Sequence, residues 1–188
     1  MYGLVNRAVE DLVCTNFGEE TWEKIKEKAE VDVEAFVSME SYPDEVTFRL
    51  VSAASEILGI TDEQVLNTFG EYWILYTARE GYGELLRMSG NTLPEFLLNL
   101  DTMHARIGLL YTNLQPPSFT CADMNEQGMT LHYRSHRLGM SSLVVGLLHG
   151  LGKMFSTPLT VDHVSHDESQ GAHDIFKITY CAPDSQQQ

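Results

Sequence analysis

Cysteine is sparse in this 188-residue chain, and Cys14, Cys121 and Cys181 stand far apart with no CxxC spacing. Neither a disulfide framework nor a cysteine zinc site is therefore indicated, and reduced, mostly buried thiols are expected. Basic residues are scarce too. Lys and Arg total 12 against 27 Asp and Glu, a net charge of −15. Nucleic acid and an anionic membrane surface are not expected partners for such a chain, whereas a basic protein partner is compatible. No apolar run is long enough to span a bilayer, and residues 1–7 lack a signal-peptide profile, so the cytoplasm is the expected compartment. There is no phosphate-binding glycine loop, no internal repeat, and no nucleophile or acid–base constellation around Glu71 and Glu80.

What is present is an ordinary globular composition, with 43% hydrophobic and 21% charged residues, enough for a real core. The first part reads as helical. Leu4, Val5, Ala8, Val9, Leu12 and Val13 follow helical spacing up to Gly18, and Trp22 and Ile25 share a face of the next segment. Asp44 is a candidate cap for a helix carrying Leu50, Val51, Ala54, Ile57 and Leu58, stopped by Gly59. Thr61 with Gln64, and Thr92 with Glu95, are capping-box patterns. Gly70 reads as a break before the aromatic stretch 72–76. Gly146 and Gly150 read as sites of close helix approach in a helix over 143–155.

After residue 110 the character changes. Gln115-Pro116-Pro117 is a linker signal. Segments 118–123 and 129–137 read as a hairpin across the turn 125–128, and two more strands follow at 159–164 and 174–180. The expected fold class is α+β. A helical subdomain over about 1–115 precedes a mixed subdomain over 116–184 with an antiparallel sheet and helices, and residues 185–188 form a disordered tail.

Two features carry chemistry. In strand 129–137, Leu131, Tyr133, Ser135 and Arg137 are spaced by two and face one way. Their hydroxyls and guanidinium donate hydrogen bonds to one surface, which suits an anion, and the Arg fork suits a carboxylate. A strand with alternating polar residues is more often a solvated face, so the row alone is weak. In helix 94–110, His104 lies four residues after Leu100 and three before Ile107, on the apolar stripe. Such a histidine is more often a core residue, but a neutral imidazole in an apolar cavity is also what an axial haem ligand requires. Haem unites the two features: its iron takes the imidazole and its propionates take the donors. His163, His166 and His173 flank a polar turn with Asp162, Asp167 and Asp174. Their spacing fits no familiar metal pattern, and solvated histidines are the favoured reading.

At this point the chain resembles a known family, the haem–nitric oxide/oxygen binding domain, also the haem domain of the soluble guanylate cyclase beta subunit. The resemblance runs from residue 1 to about 180. It rests on Met1-Tyr2-Gly3-Leu4-Val5-Asn6, Phe69-Gly70, Glu80-Gly81-Tyr82 and the segment 96–101 with His104 three residues on. It continues through Pro117-Ser118-Phe119 and Leu131-His132-Tyr133 into Ser135 and Arg137. It implies haem b between the two subdomains and His104 as proximal iron ligand. Tyr133, Ser135 and Arg137 would hold the propionates, and Pro117 would distort the porphyrin. The distal wall would comprise Val5, Val9, Trp73 and Leu143.

The resemblance also bears on the gas. Relatives that hold oxygen use a distal tyrosine, and Leu143 stands at that position here, with Ser142 and Val144 on either side. The implied function is a nitric oxide sensor, also binding carbon monoxide and excluding oxygen. Nitric oxide would weaken the bond between iron and His104, and the clamp would pass the movement to the C-terminal part. The output would go to a separate histidine kinase or cyclic-dinucleotide enzyme, as in stand-alone bacterial members, with no catalysis in this chain. Two other readings stand beside it: an oxygen-binding sensor with Trp73 as donor, and a haem-free interaction module.

Overall fold

A computed structural model describes residues 1–109, 113–167 and 172–180; Cys181 and residues 185–188 lie outside them. Among the described residues there are seven α-helices and one four-stranded antiparallel sheet, an α+β fold. Helix α1 (Gly3–Phe17) ends at Gly18, whose φ of 85° only glycine adopts readily and whose N–H returns to the Cys14 carbonyl. Helix α2 (Glu19–Lys28) buries Trp22 and Ile25. Helix α3 (Asp44–Leu58) closes on Gly59 in the left-handed conformation. Asp44 does not cap it. Pro43 takes the N-cap position, and the Asp44 carboxylate is drawn instead to two cations elsewhere.

Helix α4 (Asp62–Thr77) opens on the expected capping box, with Thr61 N–H donating to Gln64 Oε1 at 2.9 Å and Gln64 N–H to Thr61 Oγ1 at 3.3 Å. Gly70 does not break it. The glycine lies against helix α7 (Ser141–Met154), where an added Cβ would stand 2.3 Å from the Leu143 carbonyl oxygen. Gly146 does the same from the other side, 2.0 Å from the Asn67 carbonyl oxygen. The two helices thus meet backbone to backbone, which only missing side chains permit. A wide turn, Ala78–Tyr82, leads into α5 (Gly83–Met88). Helix α6 (Leu93–Gly108) starts on Thr92, which accepts from Glu95 N–H, while Glu95 Oε2 accepts from Asn91 N–H.

The sheet comprises β1 (Ser118–Asn125), β2 (Gly128–Ser135), β3 (Leu159–Asp167) and β4 (Ala172–Tyr180), in the order β1-β2-β4-β3. Strands β1 and β2 form the expected hairpin, its turn held by Gln127 N–H donating to Asn125 Oδ1. Strand β2 ends at Ser135, so Arg137 stands just beyond it. Phe119, Leu131, Tyr133, Phe176 and Ile178 bury one face of the sheet in the core. Cys14 and Cys121 are unpaired and half-buried, and burial raises both thiols above the ordinary cysteine range. No helix among the described residues is long and apolar enough to cross a membrane.

Candidate functional site

The alternation of β2 brings Leu131, Tyr133 and Ser135 to the face that meets the helices. Between them and α1, α4, α6 and α7 lies a cavity of about 630 Å³, within the ~300–1,000 Å³ range of cofactor pockets. Its wall is mainly apolar: Leu4 and Val5 from α1, Phe69, Trp73 and Ile74 from α4, Leu97, Leu100 and Met103 from α6, and Leu143, Val144 and Leu147 from α7. Val9 stands apart from the other expected wall residues. One helical turn beyond Val5 it is buried in the core and does not line the cavity.

His104 reaches the cavity from α6. The same periodicity buries Leu97, Leu100 and Met103, so the ring sits on the apolar stripe of the helix. Burial pushes its imidazole below the ordinary histidine range. The nearby Asp101 carboxylate and the Pro117 backbone oppose that shift without reversing it. Its Nδ1 is buried and makes no hydrogen bond of good geometry, although the Pro117 backbone lies near enough to act on the ring. A neutral, mostly buried imidazole on an apolar wall has the chemistry that an axial iron ligand requires.

Asp101, one turn before His104, does what the sequence reading missed. Its Oδ1 accepts from Phe119 N–H at 2.7 Å and its Oδ2 from Ser118 Oγ at 2.9 Å. These two bonds tie the histidine helix to the start of β1, beside Pro117, which also lines the cavity.

The polar edge of the cavity is formed by Tyr133, Ser135 and Arg137. Burial raises the Tyr133 hydroxyl above its ordinary pKa, although Ser135 and Arg137 work the other way, so the phenol remains a donor. Ser135 Oγ accepts from Arg137 N–H at 3.0 Å. The Arg137 fork already has an anion. Its Nε donates to Asp44 Oδ2 at 2.7 Å and its Nη2 to Asp44 Oδ1 at 3.4 Å, while Nη1 donates to the Gln115 carbonyl. The Met1 ammonium meets the same Asp44 at 2.5 Å. Burial by itself raises the Asp44 carboxyl, but the hydrogen bonds from Met1 and Arg137 outweigh it and hold the group below the ordinary aspartate value. Asp44 therefore belongs to the site. The signal was its charge at the start of α3, which also suits a cap, so sequence alone could not separate the two roles.

On the remaining wall, Val5, Trp73 and Leu143 line the cavity, and Val144 with them, whereas Ser142 does not. Trp73 lies against Phe69 and stacks on Tyr76. Its indole N–H has no hydrogen-bond partner among the described residues. Tyr82 also reaches the wall, a tyrosine that the sequence offered only as part of a motif. The residues fit haem: an apolar slot, a buried imidazole on one wall, and hydroxyl and guanidinium donors along one edge.

The family model described as Haem-NO-binding matches residues 2–163. Among curated relatives, soluble guanylate cyclase gcy-33 of Caenorhabditis elegans is 31% identical over 155 residues, 82% of this chain and 16% of that protein. Soluble guanylate cyclase gcy-34 of the same organism is 32% identical over 192 residues, 95% of this chain and 28% of that protein. The chain thus spans only a minor part of the curated relatives it matches. An H-NOX protein from S. oneidensis, solved in the Fe(II)NO ligation state, superposes with a TM-score of 0.86 at 20% identity, covering 97% of this chain and 100% of that one. At that identity the likeness is one of fold.

Proposed function

The chain belongs to the Haem-NO-binding family, whose domains are haem-based gas sensors, and from that premise we propose that it senses nitric oxide and excludes oxygen. The observation that carries this reading is His104: a neutral, mostly buried imidazole on the wall of an apolar cavity. Haem b, when bound, would supply an iron that His104 holds and that binds a diatomic gas. Tyr133, Ser135 and Arg137 hold the propionates, Arg137 sharing its fork with Asp44. Pro117, which lines the cavity, would pack against the macrocycle. Val5, Trp73 and Leu143 keep water and bulkier ligands from the gas side.

Selectivity follows from what α7 does not offer. Bound oxygen gathers partial negative charge and needs a hydrogen-bond donor far more than nitric oxide or carbon monoxide does. Leu143, Val144 and Leu147 are the α7 side chains nearest the start of that helix on the cavity wall, and none donates. The signal travels as a population shift. A shift of His104 would move α6, and Asp101 would carry that movement into β1 through Phe119 and Ser118. The output goes to a separate protein, a histidine kinase or a cyclic-dinucleotide enzyme, and this chain performs no catalysis.

Visible spectra of the reduced protein test the reading, taken without oxygen, in air and with nitric oxide. A Soret band indifferent to air and shifted by nitric oxide is the expected result. One observation favours a second reading: the unpartnered Trp73 indole N–H on the cavity wall. If it donates to bound oxygen, a stable oxygen spectrum appears in air and is lost in Trp73→Phe. The absence of any Soret band after haem is supplied would leave the interaction module.

A further inference from the structure

Away from the His104 wall, α4 carries a run of rings that the gas chemistry does not use. Trp73 lines the cavity. Its ring stacks on Tyr76, with centroids 6.3 Å apart and planes inclined by 23°. Tyr76 lies in turn beside Tyr72, at 6.1 Å and 35°. Spacings of three and four along one helix set the rings in the order Trp73, Tyr76, Tyr72. Tyr76 is only 4% exposed, whereas Tyr72 is half-buried. The run therefore leads from the cavity wall, through the core, toward the surface beside α1.

The outer end of the run is the second observation. The Tyr72 hydroxyl donates to Asp11 Oδ2, from α4 across to α1. A phenol that loses an electron becomes a strong acid, so its proton needs an acceptor. A carboxylate in hydrogen-bond contact is a base already in place. Asp11 is itself half-buried, so it exchanges that proton with solvent. Ring packing alone calls for no such partner.

We propose that Trp73, Tyr76 and Tyr72 form an electron path between the surface at Asp11 and haem in the cavity, by which the protein reduces hydrogen peroxide without losing its porphyrin. The proposal rests on haem filling the cavity and not on which gas it binds. Breaking the peroxide O–O bond consumes two electrons and two protons and leaves two waters. The path delivers the electrons one at a time. Trp73 gives an electron into the cavity and is refilled by Tyr76, and Tyr76 by Tyr72. Tyr72 then releases its phenolic proton to Asp11, leaving a neutral tyrosyl radical. A small one-electron reductant of the ascorbate class restores Tyr72, with the proton returned from Asp11. The second electron follows the same route, and a second reductant molecule restores Tyr72 again. Solvent supplies the two protons used at the peroxide. Electron tunnelling weakens steeply with distance, so short steps between neighbouring rings outrun one leap from the surface.

The test uses the haem-loaded ferric protein, its loading confirmed by the Soret band. Hydrogen peroxide is added, the sample is freeze-quenched, and electron paramagnetic resonance is recorded on protein with ordinary and with deuterated tyrosine. Soret bleaching by excess peroxide is followed with and without ascorbate. Wild type is expected to show a tyrosyl signal that ascorbate removes, and to bleach more slowly with ascorbate. Tyr72→Phe/Tyr76→Phe is expected to lose the signal and the protection by ascorbate. Asp11→Asn is expected to weaken the signal, and Tyr180→Phe, in the sheet, to keep it. Should the double variant take up haem poorly, Tyr72→Phe serves in its place and is expected to lose the protection. Haem-loaded wild type without a tyrosyl signal overturns the proposal and leaves the gas-sensing reading standing. A double variant that matches wild type in signal and bleaching overturns it as well. Protein that takes up no haem overturns both readings.

Discussion

Two borders of the haem cavity are built on opposite principles. The seam between α4 and α7 is closed by backbone apposition, with Gly70 and Gly146 leaving no room for a Cβ. The corner at Asp44 is closed by charge: one partly buried carboxylate holds Arg137 and the Met1 ammonium. Volume governs the seam, so it resists displacement as any close-packed interior does. Charge governs the corner, where salt and acid loosen the pairs without touching packed backbone. The polar edge is therefore the part of the cavity free to respond, and the glycine seam is the part against which a response is measured.

The largest break in this comparison is a methyl group in the seam. Gly146→Ala places a Cβ 2.0 Å from a backbone oxygen and is expected to cost about 3 kcal/mol in chemical denaturation. Gly108→Ala, with open space around it, is expected to change stability by less than about 1 kcal/mol in the same assay. An equal effect at both positions would dissolve the seam as a special feature.

Asp101→Ala sharpens the contrast, because here a charge does structural work. It removes two hydrogen bonds between α6 and β1, one of them to a backbone N–H, and about 1–2 kcal/mol is expected to be lost. If Asp101 also carries the signal, the variant binds nitric oxide with an unchanged Soret shift while the response of a partner protein weakens.

The smallest effect belongs to the corner. The folded Asp44 carboxyl sits below its ordinary value, so its stabilisation is complete above the unfolded pKa of ~3.9 and is lost as pH falls through the lower folded value. Wild type is expected to lose up to about 1 kcal/mol more than Asp44→Asn between neutral and acid pH, and added salt is expected to narrow the gap. Identical acid profiles would show that the corner contributes nothing.

Local rules made much of this legible in the sequence. The capping boxes at Thr61 and Thr92, the helix stops at Gly18 and Gly59, the 125–128 hairpin and the stripe carrying His104 all depend on residues a few positions apart. What escaped depends on distant partners. Gly70 looks like a break until α7 is laid against it, and Asp44 looks like a cap until Arg137, 93 residues away, comes to meet it. Val9 shares the face of Val5 by spacing, yet one more helical turn carries it past the cavity. A bulge in β3 cannot be read from alternation, because it is a departure from alternation.

The central claim is that His104 is the protein's bond to iron. Resonance Raman spectroscopy of the ferrous, gas-free protein reads that bond directly. The account predicts an iron–histidine stretching band in wild type, its loss in His104→Gly, and its return at a shifted frequency when imidazole is added. A band that persists unchanged in His104→Gly would contradict it.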